Sequence, residues 1–122
     1  AIENGDWAAA TAAYNDALAL NPSDADAKAG LLQVAFLQRA TVLNIEEVLA
    51  RPIANAQDRL ERADALVLSG QLEQAFTLLV DAVRSNTEDR DIYKERLLDF
   101  FNVMGDIQEV RDARRALTNA LF

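Results

Sequence analysis

Residues 70–86, GQLEQAFTLLVDAVRSN, decide how the rest of the chain is read. Gly70 opens the stretch as a turn. Apolar residues then recur at Leu72, Ala75, Phe76, Leu79, Ala82 and Val83, the i, i+3, i+4, i+7 spacing of one helical face. Leu78 and Val80 widen that face, which predicts a helix packed on more than one side. Ala75 and Ala82 flank Leu79, so a second helix can approach closely beside a large side chain.

Working outward, the same pattern of amphipathic runs and short breaks recurs in both directions. Towards the N-terminus, Ala1–Asn4 reads as the tail of a helix, Gly5-Asp6 as a turn, and Trp7 to Leu20 as a helix ended by Asn21-Pro22, because a residue before proline is driven out of the α region. Ser23 with Asp26 forms a capping-box-like start for a helix to Arg39 or Ala40. On it, Leu31, Val34, Ala35 and Gln38 share a face, with Leu32 and Phe36 beside it. A short helix from Ile45 to Arg51 is capped by Asn44, with Glu46 and Glu47 at its positive end and Pro52 closing it. Ala54 to Leu68 is helical again. Beyond the opening stretch, Thr87 is the expected cap of a helix to Met104 carrying Ile92, Tyr93, Leu97, Phe100 and Phe101. Gly105-Asp106 turns into a last helix from Ile107 to Leu121. Seven helices with short loops predict an all-α domain of antiparallel hairpins.

Composition agrees. Of 122 residues 51% are hydrophobic, against 4 glycines and 2 prolines, so helix formers dominate. A chain this long buries roughly two-thirds of its unfolded surface. It contains no cysteine and no histidine, which removes disulfides, thiol chemistry, ordinary zinc sites and the usual catalytic bases and nucleophiles. The net charge of −8, from 12 basic and 20 acidic residues, repels phosphate backbones and anionic membrane surfaces. The carboxylate pairs Glu46-Glu47 and Glu88-Asp89 sit at helix starts, where negative charge is favoured. Asp24-x-Asp26-x-Lys28 begins like a calcium loop, but Gly30 comes one place late and Ala35 holds the bidentate-glutamate position. The reading is therefore a non-enzyme with no metal and no cofactor.

The breaks are also periodic. Gly70 and Gly105 lie 35 residues apart, near the ~34-residue period of a tetratricopeptide helix–turn–helix unit, and Gly5 lies 65 before Gly70, close to two such periods but not equal to them. Such units place an alanine five residues after a small turn residue, a large residue four further on, an alanine three further, then proline. Gly5, Ala10, Tyr14, Ala17 and Pro22 meet all five; Gly70, Ala75, Leu79 and Ala82 meet four, with Thr87 in place of proline. Lys28 stands where tryptophan is common, and Val110 and Arg114 replace the last unit's alanine and large residue. These departures suit a degenerate middle and a capping end. An unrelated alanine-rich bundle is the alternative.

Four C-terminal segments narrow the resemblance: Arg62-Ala63-Asp64, residues 70–76 (GQLEQAF), residues 97–105 (LLDFFNVMG) and residues 114–122 (RRALTNALF). With Asp24 to Leu31, they resemble the TPR-like domain that ends the bacterial YbbN/CnoX co-chaperones, or chaperedoxins. The resemblance implies one helical domain over residues 1–122, cut from a longer protein with an N-terminal thioredoxin-like domain. It further implies a cytoplasmic holdase role, binding unfolded clients and passing them to a chaperonin or other chaperones. A generic scaffold for a regulatory or secretion complex is the alternative function.

Two sets of residues are candidates for protein contact. Arg111, Arg114 and Arg115 form a basic cluster beside Leu117, Leu121 and Phe122; this end can dock on its own domain, on a partner, or on both by different faces. Phe36, Leu37, Tyr93 and Phe101 could line an apolar groove, with core placement the favoured reading. The face that carries a carboxylate clamp in some TPR proteins holds Ala29, Gln33, Glu95 and Asp99, so no clamp is expected.

Overall fold

The computed structural model describes residues 4–85 and 88–122, with only the backbone at positions 4 and 5. They form seven helices and no strand among the described residues: α1 (Asn4–Leu20), α2 (Ala25–Ala40), α3 (Ile45–Ala50), α4 (Ala56–Leu68), α5 (Leu72–Ser85), α6 (Arg90–Met104) and α7 (Gln108–Leu121).

Local chemistry sets most of the boundaries. Asp24, in extended backbone, accepts from Ala27 N at 3.0 Å and so caps α2. This corrects the expectation for Ser23, whose N–H is held in the preceding turn by Asn21 Oδ1 at 3.1 Å. Asn44 accepts from Glu47 N at 3.2 Å and caps α3 as expected. Asn55 accepts from Asp58 N at 2.8 Å, while Asp58 accepts from Ala54 N at 3.0 Å, so α4 starts two residues later than the sequence predicts. The expectation for Thr87 lies outside the described residues, and Asp89 occupies the cap position of α6.

The α4–α5 turn explains Gly70. Gly70 N donates to Val67 O at 3.0 Å and Gln71 N to Leu66 O at 2.8 Å, the paired bonds of a Schellman ending. They require the left-handed conformation that Gly70 adopts at φ 80, one that glycine reaches without a Cβ clash.

Gly5 does not repeat this behaviour. It lies inside α1, which runs unbroken from Asn4, so the expected Gly5-Asp6 turn is absent. One glycine costs a helix only about 1 kcal/mol relative to alanine, and the apolar face beginning at buried Trp7 offsets that. The expectation for residues 1–3 lies outside the described residues.

The core is built around α5, which packs on α4, α6 and α7. Ala75, Phe76, Leu79, Val80, Ala82 and Val83 are all buried on it. Phe76 meets Phe101 edge-on at 5.4 Å and Phe100 at 6.4 Å, and Phe36 meets Phe100 edge-on at 5.7 Å. Each such ring contributes roughly 1.5–3 kcal/mol by leaving water. Phe36 is on α2, which packs on α1, α4 and α6. A strict solenoid joins each unit only to its neighbours; here α2 reaches past α4–α5 to the helix that opens the last hairpin.

The face of α2 is rotated from the expected one. Ala27, Gly30, Val34, Phe36 and Ala40 are buried, whereas Ala35 and Gln38 are exposed. Gly30 permits the close approach of α1: a Cβ there would meet the Tyr14 ring at 2.3 Å. Ile92, expected on the apolar face of α6, is 47% exposed.

Candidate functional site

The clearest polar feature is a buried carboxylate. Asp64 on α4 is 2% exposed. Arg39 Nε on α2 donates to its Oδ2 at 2.8 Å and Arg39 Nη2 to its Oδ1 at 3.2 Å. From α6, Arg96 Nη1 donates to both oxygens, at 3.0 and 2.9 Å. One side chain thus ties three helices. Two guanidiniums compensate the cost of burying one charge, and both remain partly solvated. Arg39 also stacks over Phe36, 5.5 Å from its centroid.

Three further arginines join helices in a similar way. Arg59 Nη1 donates to Tyr93 Oη at 2.6 Å and lies 5.3 Å from the centre of that ring, joining α4 to α6. Arg51, at the end of α3, donates to Glu61 at 2.7 Å, and the Arg62 guanidinium donates to the Arg51 carbonyl. The bonds from Gln57 and Arg51 hold the Glu61 carboxyl below its ordinary range. Beside the Asp64 hub, burial and then the neighbouring Glu95 push Asp99 upward, against the pull of Arg96 and Arg39. No group of three or more acidic side chains among the described residues is placed to hold a metal ion.

The sequence-derived contact residues separate into inner and outer sets. Phe36, Tyr93 and Phe101 are buried in the core, and Leu37 is half-buried against it; the three rings have no face free for a partner. Leu117 is buried and Leu121 packs against the core, so α7 docks on its own domain through these residues and Val110 and Ala113. Arg114 folds back over Phe101 at 5.0 Å, which explains how an arginine replaces the large apolar residue of the repeat. Arg111 pairs with Asp106 at 2.8 Å and donates to Gln108 at 3.0 Å. Arg115 is exposed, and Phe122 is 99% exposed.

Sequence reasoning missed the Asp64 hub, although Asp64 belongs to the distinctive Arg62-Ala63-Asp64 segment. Its signal was an acidic residue on a helical face otherwise made of Leu60, Ala63 and Leu66. It also missed a cleft along α5 and α7. One hollow of about 740 Å3 reaches from Arg62 and Leu66 across Gln71, Glu73 and Thr77 to Glu109. A second, of about 280 Å3, shares Glu73, Thr77 and Glu109 and continues to Arg84 and Ala116. Its carboxylates come from two helices far apart in the chain, so no local pattern revealed them.

Comparison with known proteins places this geometry. The chain is 34% identical over 125 residues to uncharacterized proteins of Mycobacterium bovis and of two Mycobacterium tuberculosis strains. The match takes in 99% of the chain and spans 41% of the length of these relatives. No solved structure gives a significant match. The tetratricopeptide repeat family matches residues 37–122, the region that holds the Schellman turn, the α5-centred core and the α6–α7 hairpin. With seven helices in hairpins built about that match, the chain belongs to the tetratricopeptide repeat family.

Proposed function

We propose that this chain is the non-catalytic interaction domain of a thioredoxin-like co-chaperone of the bacterial cytoplasm, one that binds unfolding clients, a chaperonin, or both. A tetratricopeptide repeat domain is a scaffold for protein–protein contact, and that part of the reading rests on family membership. The finer part rests on one observation, the resemblance of the four distinctive segments between Arg62 and Phe122 to the YbbN/CnoX co-chaperones. Fold alone does not transfer a task, so these segments bear the weight. The exposed end of α7, with Arg115 and Phe122 turned outward, is the proposed contact region, while Leu117 and Leu121 fix the helix beneath it. No helix among the described residues is long and apolar enough to cross a membrane, which is compatible with the proposed location.

The test is light scattering from a heat-unfolding reporter enzyme with the 122-residue chain at equal and tenfold molar ratio, beside co-elution with a chaperonin on gel filtration. Suppressed scattering or co-elution is the expected result. Failure of both rejects the co-chaperone role and favours a scaffold of a regulatory or secretion complex.

A further inference from the structure

We propose that the cleft between α5 and α7 docks a cationic amphipathic helix of a partner protein. This rests on the reading of the chain as a protein-interaction domain and gives that partner a chemistry. The cleft follows α5 from Glu73 through Thr77 and Val80 to Arg84, successive turns of one face. At 1.5 Å per residue this is about 16 Å, or three turns of a partner helix. On the α7 side Glu109, Asp112, Ala113 and Ala116 repeat the i, i+3, i+4, i+7 spacing. The floor is apolar and low: Phe76 and Val80 lie between the helices, and the two alanines leave space above them.

The rim selects the occupant by charge. Glu73, Asp81, Glu109 and Asp112 line the smaller hollow with Arg84 as the single cation, and Arg84 is bonded to Asp81 at 2.9 Å. Asp112 accepts from neutral Gln108 at 2.7 Å. Carboxylates thus flank an apolar trough on a chain of net charge −8. Lysines or arginines flanking a short apolar stripe complement that trough, as in helix-in-groove recognition. An acidic or fully apolar helix would leave the rim charges facing like charge or losing water without compensation. The surface is formed by the second helices of two successive hairpins, and α2, which covers α4 and α6, leaves it open.

The probe is an 18-residue synthetic helix with a leucine stripe flanked by lysines, labelled for fluorescence anisotropy, and its counterpart with glutamates for lysines. The lysine helix is expected to bind and the glutamate helix not to. Binding should weaken at least tenfold in Glu73→Lys/Glu109→Lys and should weaken as salt rises. Asp16→Lys/Asp26→Lys makes the same change of net charge at exposed positions on α1 and α2 and should retain binding. The proposal is overturned if the lysine helix fails to bind, if the cleft variant binds like the parent, or if both variants weaken equally. Suppressed aggregation by the unaltered chain with no lysine-helix binding would overturn the cleft and leave the co-chaperone reading. Cleft-dependent binding without suppression or chaperonin co-elution would do the reverse.

Discussion

The α1–α2 hairpin and the α4–α7 block are held together by different means. In the block, α5 buries six side chains, and its Phe76 meets Phe100 and Phe101 of α6. In the hairpin, α1 has Trp7 as its buried hydrophobic residue, while Ala10, Tyr14, Ala17 and Leu18 are only partly covered. Yet Gly5–Pro22 meets the repeat pattern in full, and the family match begins at residue 37, beyond it. The spacing of small and large residues describes how two helices can approach. Stability depends on how many neighbours then close around them: α5 packs on three helices, whereas α1 packs chiefly on α2.

Emptying the aromatic centre of the block has the largest expected effect. Phe101 is fully buried, meets Phe76 and carries Arg114 on its ring. Phe101→Ala should cost about 4 kcal/mol, from lost transfer energy and a residual cavity. Much of a domain's usual 5–15 kcal/mol would be gone, with a correspondingly lower urea midpoint. A cost below about 1 kcal/mol would mean that the aromatic cluster does not bear the stability assigned to it.

Asp64 tests the link between the two regions. Asp64→Ala leaves Arg39 and Arg96 facing each other without their carboxylate; removing one partner of a buried pair costs about 3–5 kcal/mol. The partial exposure of both arginines places the expected loss at about 3, measured by chemical denaturation. Asp64→Leu with Arg39→Met and Arg96→Met should recover most of it, since apolar replacement of a buried ionic cluster is often neutral. If the triple variant is as unstable as the single one, the hub has a role beyond compensating its own burial.

Much of the fold was legible because it rests on local chemistry. Asn44 and Gly70 announce a cap and a turn, and the six apolar positions of α5 announce a buried face. Gly5 misled because a glycine marks a turn only where the backbone needs positive φ, as at Gly70 and Gly105. The face of α2 was misjudged because that helix has neighbours on two sides, Tyr14 meeting Gly30 and Phe100 meeting Phe36, which one helical period cannot express. Of the candidate site, the docking of α7 could be read from Val110, Ala113 and Leu117. The Asp64 hub and the α5–α7 cleft could not, because each unites side chains more than 20 residues apart.

Within the hairpin, Gly30→Ala sharpens the contrast at lower cost. Its new Cβ would meet the end of the Tyr14 ring, and that ring is only partly covered and can swing outward. Overpacking, at about 1–3 kcal/mol, is offset by the ~1 kcal/mol gain in helix propensity. The expected outcome is a loss of global stability of no more than about 2 kcal/mol, with faster amide exchange confined to α1. Faster exchange through α5 would show that hairpin and block unfold as one unit.

The smallest effect belongs to Asp99, next to the hub. Burial, then Glu95, raise its carboxyl pKa above the ordinary value, so the folded chain holds this proton more tightly than the unfolded chain does. The ionised form therefore weighs against folding at neutral pH. That cost fades as pH falls through the raised folded value and is gone below the ordinary carboxylate range. Asp99→Asn should consequently be slightly more stable than the parent at pH 7, within the ~0.5 kcal/mol typical of surface positions. Its advantage should vanish when melting is repeated near pH 3. An advantage that persists there would assign the gain to packing, while a loss at pH 7 would mean that Asp99 assists Arg96 and Arg39 in joining hairpin to block.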